Sequence, residues 1–218
     1  MLREEDKKEI QNQLNQMKDP VRLSLFTQKV AGSCAYCIET ENLVNEVSKL
    51  SDLLLLDVYN FVTDKEQVKV FQIDKIPAIA VHTDKDMGIR FYGIPAGYEF
   101  ASFLQSIILL SQGKSELTPD ILKRLEAVNT PVHIQVFVTP TCPYCTRAAL
   151  AAYQFAMKSE HIRADVVEVT EFPHLAQKYG IMGVPKIVIN ESLSFDGALP
   201  EPMFLDHVEA AIKGEQTG

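Results

Sequence analysis

TPTCPYCTR, residues 139–147, sets Cys142 and Cys145 with two residues between them, after a β-like run, VHIQVFV at 132–138, and before an alanine-rich helix-like run. An earlier stretch, VAGSCAYCIE at 30–39, repeats the arrangement with Cys34 and Cys37, and these two pairs account for all four cysteines. The spacing suits thiol chemistry. A cysteine at a helix start is flanked by unpaired backbone N–H groups and the positive end of the helix dipole, which favour its thiolate. A thiol of pKa ~8.5 is only about 3% ionised at pH 7, whereas one near ~7 is about half ionised. A second cysteine one turn on can attack a mixed disulfide formed by the first, so such a pair exchanges two electrons without a bound cofactor. Cys34 and Cys142 are therefore the expected nucleophiles, and Cys37 and Cys145 the expected resolving thiols.

The duplication can be measured. Cys34 to Cys142 is 108 residues, Pro77 to Pro185 is again 108, and in each half the first cysteine precedes its proline by 43. FYGIPAGYEF at 91–100 and FDGALPEPMF at 195–204 echo one another at an offset of 104. Matched spacing at separate landmarks is the mark of an internal repeat. The polar stretch SQGKSELTPD at 111–120 is the one plausible linker, with Thr118 as N-cap and Pro119 at the first helical position. Two units are expected, 1–113 and 114–218.

Composition narrows the function. The 218 residues are 46% hydrophobic and 23% charged, the profile of an ordinary globular protein. Residues 1–113 carry 12 basic and 16 acidic side chains and residues 114–218 carry 9 and 13, so each half is −4. No basic arm or patch points to nucleic acid, and the acidic balance disfavours anionic membranes. MLREEDKKEIQNQLNQMKD at 1–19 has no apolar signal-peptide core, and no run approaches the ~20 apolar residues of a membrane span. A cytoplasmic location is expected, where close-spaced cysteines are more often catalytic or metal-binding than structural.

Periodicity supplies the elements. Ile10, Leu14 and Met17 mark an opening helix stopped by Asp19 and Pro20, and VRLSLFTQKV at 21–30 reads as the strand delivering the first cysteine pair. LLLLDVYNF at 53–61 is a continuous apolar run, expected to be an interior strand covered on both faces. A short helix near 65–71, KIPAIAVHT with GIRFYG as a hairpin, and a helix carrying Phe100, Phe103, Leu104, Ile107 and Ile108 complete the first unit. The second unit repeats this order.

Strand, Cys-x-x-Cys, helix, strand, helix, Ile/Val-Pro, hairpin, helix resembles the thioredoxin fold, and CPYC at 142–145 is similar to the glutaredoxin active site. Two such units with intact cysteine pairs resemble the glutaredoxin-like protein disulfide oxidoreductases of thermophilic archaea and bacteria. The resemblance implies an α/β protein of two tandem thioredoxin-like folds, each a mixed central sheet flanked by helices. It also implies an enzyme that reduces, forms or isomerises protein disulfides in electron transport, with redox-active disulfides and no other cofactor. Its implied partners are protein disulfide or dithiol substrates, a thioredoxin-reductase-like donor and a peroxiredoxin. Pro77 and Pro185 would follow cis peptide bonds and face the cysteines, exposing the backbone of Ile76 and Val184 to an extended substrate.

Departures from the family pattern bear on mechanism. Ser33 and Thr141 stand where many thioredoxins have a Trp before the first cysteine. The buried aspartate of thioredoxin, six residues before the nucleophile, is replaced by Gln28 and Val136. Asp57 and Glu168, each four residues before a phenylalanine (Phe61, Phe172), are the candidate substitutes for proton transfer. The 108-residue shift places Glu39 where Arg147 stands, and a cation favours a nearby thiolate, so Cys142 is expected to be the more acidic nucleophile.

Two rivals remain. Two Cys-x-x-Cys pairs are also a Cys₄ zinc pattern, but zinc ribbons separate their pairs by about 15–20 residues and here 104 intervene. The histidines at 82, 133, 161, 174 and 207 adjoin neither the cysteines nor one another. The other rival is a non-enzymatic thioredoxin-fold interaction module. The tandem region opening the alkyl hydroperoxide reductase flavoproteins is similar in build, but typically keeps one cysteine pair where this chain has both.

Overall fold

The computed structural model describes residues 2–30 and 34–214, so Ser33 lies outside the described residues. In the first half α1 (Glu4–Leu14) leads to β1 (Val21–Thr27), α2 (Cys37–Ser48), β2 (Leu54–Asn60), α3 (Lys65–Val70), the hairpin β3 (Ala78–His82) and β4 (Asp86–Tyr92), and α4 (Tyr98–Ser111). The second half runs α5 (Pro119–Glu126), β5 (Val132–Val138), α6 (Cys145–Lys158), β6 (Ile162–Glu168), α7 (Pro173–Lys178), β7 (Lys186–Ile189), β8 (Leu193–Asp196) and α8 (Glu201–Lys213). Thr118 Oγ1 accepts from the Ile121 N–H and Pro119 occupies the first turn, which fixes the start of α5 after the polar connection.

The eight strands among the described residues join one mixed sheet in the order β2-β1-β3-β4-β6-β5-β7-β8. The two halves meet where β4 pairs in parallel with β6, from Ile89 opposite Ala164 to Tyr92 opposite Val167. This junction corrects one sequence expectation. LLLLDVYNF supplies β2, which is an edge strand with β1 alone beside it, and Leu55 and Val58 are exposed. Its counterpart β6 is the interior strand, flanked by β4 and β5. An apolar run suits an interior strand, yet which edge is covered is decided by the docking of the halves, a long-range event that local hydrophobicity does not encode. β1 also ends at Thr27, three residues before the expected Val30.

Side chains alternate across the strands, so the sheet has two apolar faces. Leu23 and Leu25 of β1 pack with Val44 and Val47 of α2 on one face, in a core that runs on through α4, α6 and α8. Phe26 and Phe137 point the other way, into a smaller core with Phe71, Ile73, Phe172 and Val188 beside the short helices α3 and α7. Each fully buried side chain of this size contributes about 1.5–3 kcal/mol. The helix layer continues across the junction because α6 presents Ala148, Ala149, Ala152 and Ala156 as buried small residues, allowing α4 to approach it closely.

Candidate functional site

Each cysteine pair sits where a strand end turns into a helix. In the second half the Cys142 N–H donates to Thr139 O at 3.1 Å, the Cys145 N–H to Cys142 O at 3.3 Å, and Cys145 opens α6. In the first half Cys37 opens α2, with Tyr36 at the N-cap. Both pairs are closed as disulfides within their own motifs, Cys34–Cys37 and Cys142–Cys145, with Cα separations of 5.6 and 5.5 Å. Cys37 and Cys145 are wholly buried, whereas Cys34 is partly exposed and Cys142 keeps 8% of its surface. A disulfide approached from solvent is therefore met first at Cys34 or Cys142.

The prolines flank this arrangement. Both the Ile76–Pro77 and Val184–Pro185 bonds are cis. Pro77 O accepts from the Gly93 N–H at 2.9 Å and Pro185 O from the Gly197 N–H at 2.8 Å, tying each proline to the far strand of its hairpin. Cys142 Sγ lies 3.6 Å from the Val184 carbonyl oxygen, which brings that backbone against the second disulfide. Tyr144 and Met182 are exposed nearby in sequence, as are Tyr36 and Ile38 around the first pair. Arg147 is exposed and donates to the Ala198 carbonyl, so solvent screens its charge.

Strand register separates the two acidic candidates. Val138 pairs with Glu168, and the first-half equivalent, Thr27, pairs with Asn60; Asp57 lies opposite Ser24. Asp57 therefore matches Asp165, which lies opposite Gln135. Both belong to the face away from α2 and α6, and both meet an arginine: Asp57 accepts from Arg22 at 2.8 Å, Asp165 from Arg163 at 2.7 Å. Asp57 thus points away from the face on which α2 carries Cys37. The assumed equivalence of Asp57 and Glu168 fails because Phe61 and Phe172 are not equivalent positions. Glu168 is buried on the α6 face at the end of β6, where Thr170 Oγ1 donates to its carboxylate at 2.7 Å and the Glu171 N–H at 3.0 Å.

Two further acids lie at this junction, and no sequence motif singles them out. Glu171 accepts from the Ile94 N–H at 2.7 Å, and burial, together with the charge of Glu168, pushes its carboxyl up to about 7. Glu99, in the first turn of α4, is fully buried; burial and again Glu168 push it up to about 8. Nothing local marks Glu99, whose counterpart at the 104-residue offset is the half-exposed Met203.

Beside the first pair, a groove of about 750 Å³ runs between α1, α2 and α4, with Leu43, Ile94 and Phe100 as apolar walls and Glu9 and Glu39 at its rim. Among the described residues no group of three or more His, Cys, Asp or Glu side chains is placed to hold a metal ion, and the four sulfurs are divided between two separate disulfides. No helix among the described residues is long and apolar enough to cross a membrane.

Comparison with known proteins agrees with this geometry. A thioredoxin domain family model matches residues 132–210. The crystal structure of a protein disulfide oxidoreductase from Aeropyrum pernix K1 superposes with a TM-score of 0.92 at 33% identity, covering 100% of this chain and 97% of that one. Thioredoxin of Methanocaldococcus jannaschii is 38% identical over 82 residues, 37% of this chain and 96% of that protein. The alkylhydroperoxide reductase AhpF of Enterococcus faecalis shares the fold, with a TM-score of 0.87 at 22% identity over 95% of this chain and 99% of that one. The chain spans only about a quarter to a third of the longer curated relatives that it matches, 27% of an NADH dehydrogenase of Bacillus subtilis and 33% of an alkyl hydroperoxide reductase component of Xanthomonas campestris.

Proposed function

The chain belongs to the family of tandem thioredoxin-fold protein disulfide oxidoreductases, and on that footing we propose that it exchanges disulfides with protein clients through two Cys-x-x-Cys centres. The observation that carries this reading is the shared geometry of the pairs. Each is a closed disulfide at a helix start, its first cysteine the more exposed residue and its second enclosed. Residues 1–113 and 114–218 act as the two units, one centre in each.

In the reducing direction, the Cys142 thiolate attacks one sulfur of a client disulfide. The mixed bond forms, the client bond breaks, and the departing client sulfur takes a proton from water. Cys145 then gives up its proton, attacks Cys142 Sγ and closes the motif disulfide, releasing the second client sulfur. The client gains two electrons from the cysteine pair and takes up two protons from water; Cys142 released its proton on ionising, and Cys145 releases its own at the closing step. Cys34 and Cys37 follow the same course. The helix dipole at the start of α6 and the absence of an acidic residue in its first turn make Cys142 the more acidic nucleophile, with Arg147 adding a screened contribution, whereas α2 carries Glu39 there.

Ile76–Pro77 and Val184–Pro185 present backbone to an extended client segment, as the position of Val184 O against Cys142 supports. Glu168 serves proton transfer at the second centre. Electrons arrive from a thioredoxin-reductase-like donor, and a peroxiredoxin is among the clients. The cytoplasm suits the chain, since all four cysteines belong to the two motifs and none is committed to a separate structural bridge. Insulin reduction with dithiothreitol as donor tests the activity: turnover lost on changing Cys34 and Cys142 together to Ser supports it, and a wild-type rate equal to dithiothreitol alone contradicts it.

A further inference from the structure

Among the described residues, three buried side-chain polar atoms have no hydrogen-bond partner, and two of them are the carboxylate oxygens of Glu99. A fully buried, unpartnered carboxyl costs stability, so its persistence calls for a use. Its place is particular. The Tyr98 N–H, one residue away, donates to Pro140 O at 3.0 Å, and Tyr98 O accepts from Thr146 Oγ1 at 3.2 Å, so the start of α4 grips the segments on both sides of the Cys142–Cys145 disulfide. The titratable groups whose charges are felt here are Glu168 of β6, which acts on both Glu99 and Glu171, and Tyr153 of α6, on which Glu99 acts; Ser102 lies one turn on along the same helix. Ser102 Oγ donates to the Glu99 backbone carbonyl and not to its carboxylate. At the matching position of α8, Met203 is half exposed, whereas Glu99 is fully buried on α4, the helix that packs against α6 of the second half.

We propose that Glu99 is a proton-holding residue of the Cys142–Cys145 centre, supplied across the junction by the first half, which with Glu168 takes the proton that Cys145 gives up as it closes the disulfide. The inference rests on the reading of Cys142–Cys145 as an exchange centre and adds to it a carboxyl from the other unit. Burial with a like charge nearby favours the protonated form of Glu99, which suits it to take up a proton in the range where a thiol gives one up. In the opposite direction the pair returns that proton to the Cys145 thiolate as the disulfide opens. The first centre has no such pair, since Asn60 stands at the place of Glu168.

The test needs no client protein. Redox difference infrared spectra are recorded on the full chain in the Cys34→Ser/Cys37→Ser background, with the remaining disulfide reduced by dithiothreitol, and compared with the same protein carrying Glu99→Gln or Glu99→Asp. A carboxylic C=O band that changes on reduction, vanishes in Glu99→Gln and returns in Glu99→Asp is expected. The pH titration of Cys142 thiolate absorbance should also lose an inflection in Glu99→Gln. A reducible disulfide whose spectrum and titration are the same with Glu or Gln at 99 overturns the role of Glu99 alone. A disulfide that dithiothreitol does not open overturns both the role and the exchange reading.

Discussion

Asn60 holds in the first half the place that Glu168 holds in the second: each is the last residue of its strand, opposite Thr27 and Val138, the strand residues that lead to the cysteine turns. The two centres therefore share a backbone plan and differ in their acid chemistry. Glu168→Gln should slow closure of the Cys142–Cys145 disulfide from its mixed disulfide by about tenfold or more, below the usual range of general-base contributions because Glu99 remains. The Cys34–Cys37 step should be unchanged. Stopped-flow thiol exchange with each motif isolated by Cys→Ser changes measures this, and an equal slowing at both centres counts against it.

Stability should fall as pH rises past neutrality, and Glu99 should be a principal reason. Its folded-state pKa, about 8, lies above the ordinary 4.5, so the folded chain keeps a proton that the unfolded chain releases. Its contribution is thus fully present below about 4.5 and lost as pH rises through about 8. Glu171, at about 7, acts with the same sign. Glu99→Gln should be near neutral at pH 5 and stabilising by about 2–4 kcal/mol at pH 9. Urea melts at the two pH values decide it; a variant that gains nothing at pH 9 would show that the buried carboxyl does not ionise at a cost.

Asp165 works in the opposite sense. Burial alone would raise its pKa, but His133 at 2.7 Å and Arg163 at 2.7 Å outweigh that and hold it well below the usual carboxylate range. The stability it supplies is present above the ordinary carboxylate pKa and is lost as pH falls below it. Asp165→Asn should cost about 3–5 kcal/mol at neutral pH, since it leaves Arg163 half-buried without its partner. It should also flatten acid unfolding, followed by circular dichroism. A wild-type acid midpoint retained by the variant would contradict this assignment.

Gly97 has φ +59°, and a Cβ there would overlap the carbonyl oxygen of Pro140 in the other half. Gly180 has φ +57° with open space around it. Gly180→Ala should cost about 1 kcal/mol from backbone strain alone. Gly97→Ala should cost more, because the loop on Pro140 must also move, and should weaken the junction that carries Glu99. Denaturant midpoints of the two variants, compared side by side, test this; equal losses would mean that the junction yields freely.

Much of the organisation is legible in the sequence because it is written in short-range patterns. The cysteine pairs, the Ile-Pro and Val-Pro steps and the helix faces through Ile10, Leu14, Phe103 and Ile107 all depend on residues within a few turns of one another. The rest depends on how the halves meet. LLLLDVYNF has the look of an interior strand yet lies at the edge, because β4 docks on β6 and leaves β2 uncovered. Phe61 and Phe172 suggest matching Asp57 to Glu168. The strands show a different equivalence, since β1 and β5 are offset by 111 residues where β2 and β6 are offset by 108. The extra three residues lie between Thr27 and Cys34. Glu99 reads as an ordinary first-turn acid on α4, yet it is fully buried on a helix that packs against α6 of the other half.

The central claim is that two independent dithiol–disulfide couples operate in one chain, and thiol trapping across a graded dithiothreitol redox buffer, read by peptide mass spectrometry, tests it most directly. Label should enter Cys34 together with Cys37, and Cys142 together with Cys145, each pair in its own reversible two-electron transition. Labelling of all four cysteines in a single step, a bridge joining sulfurs of different motifs, or cysteines that stay unlabelled throughout would contradict the account.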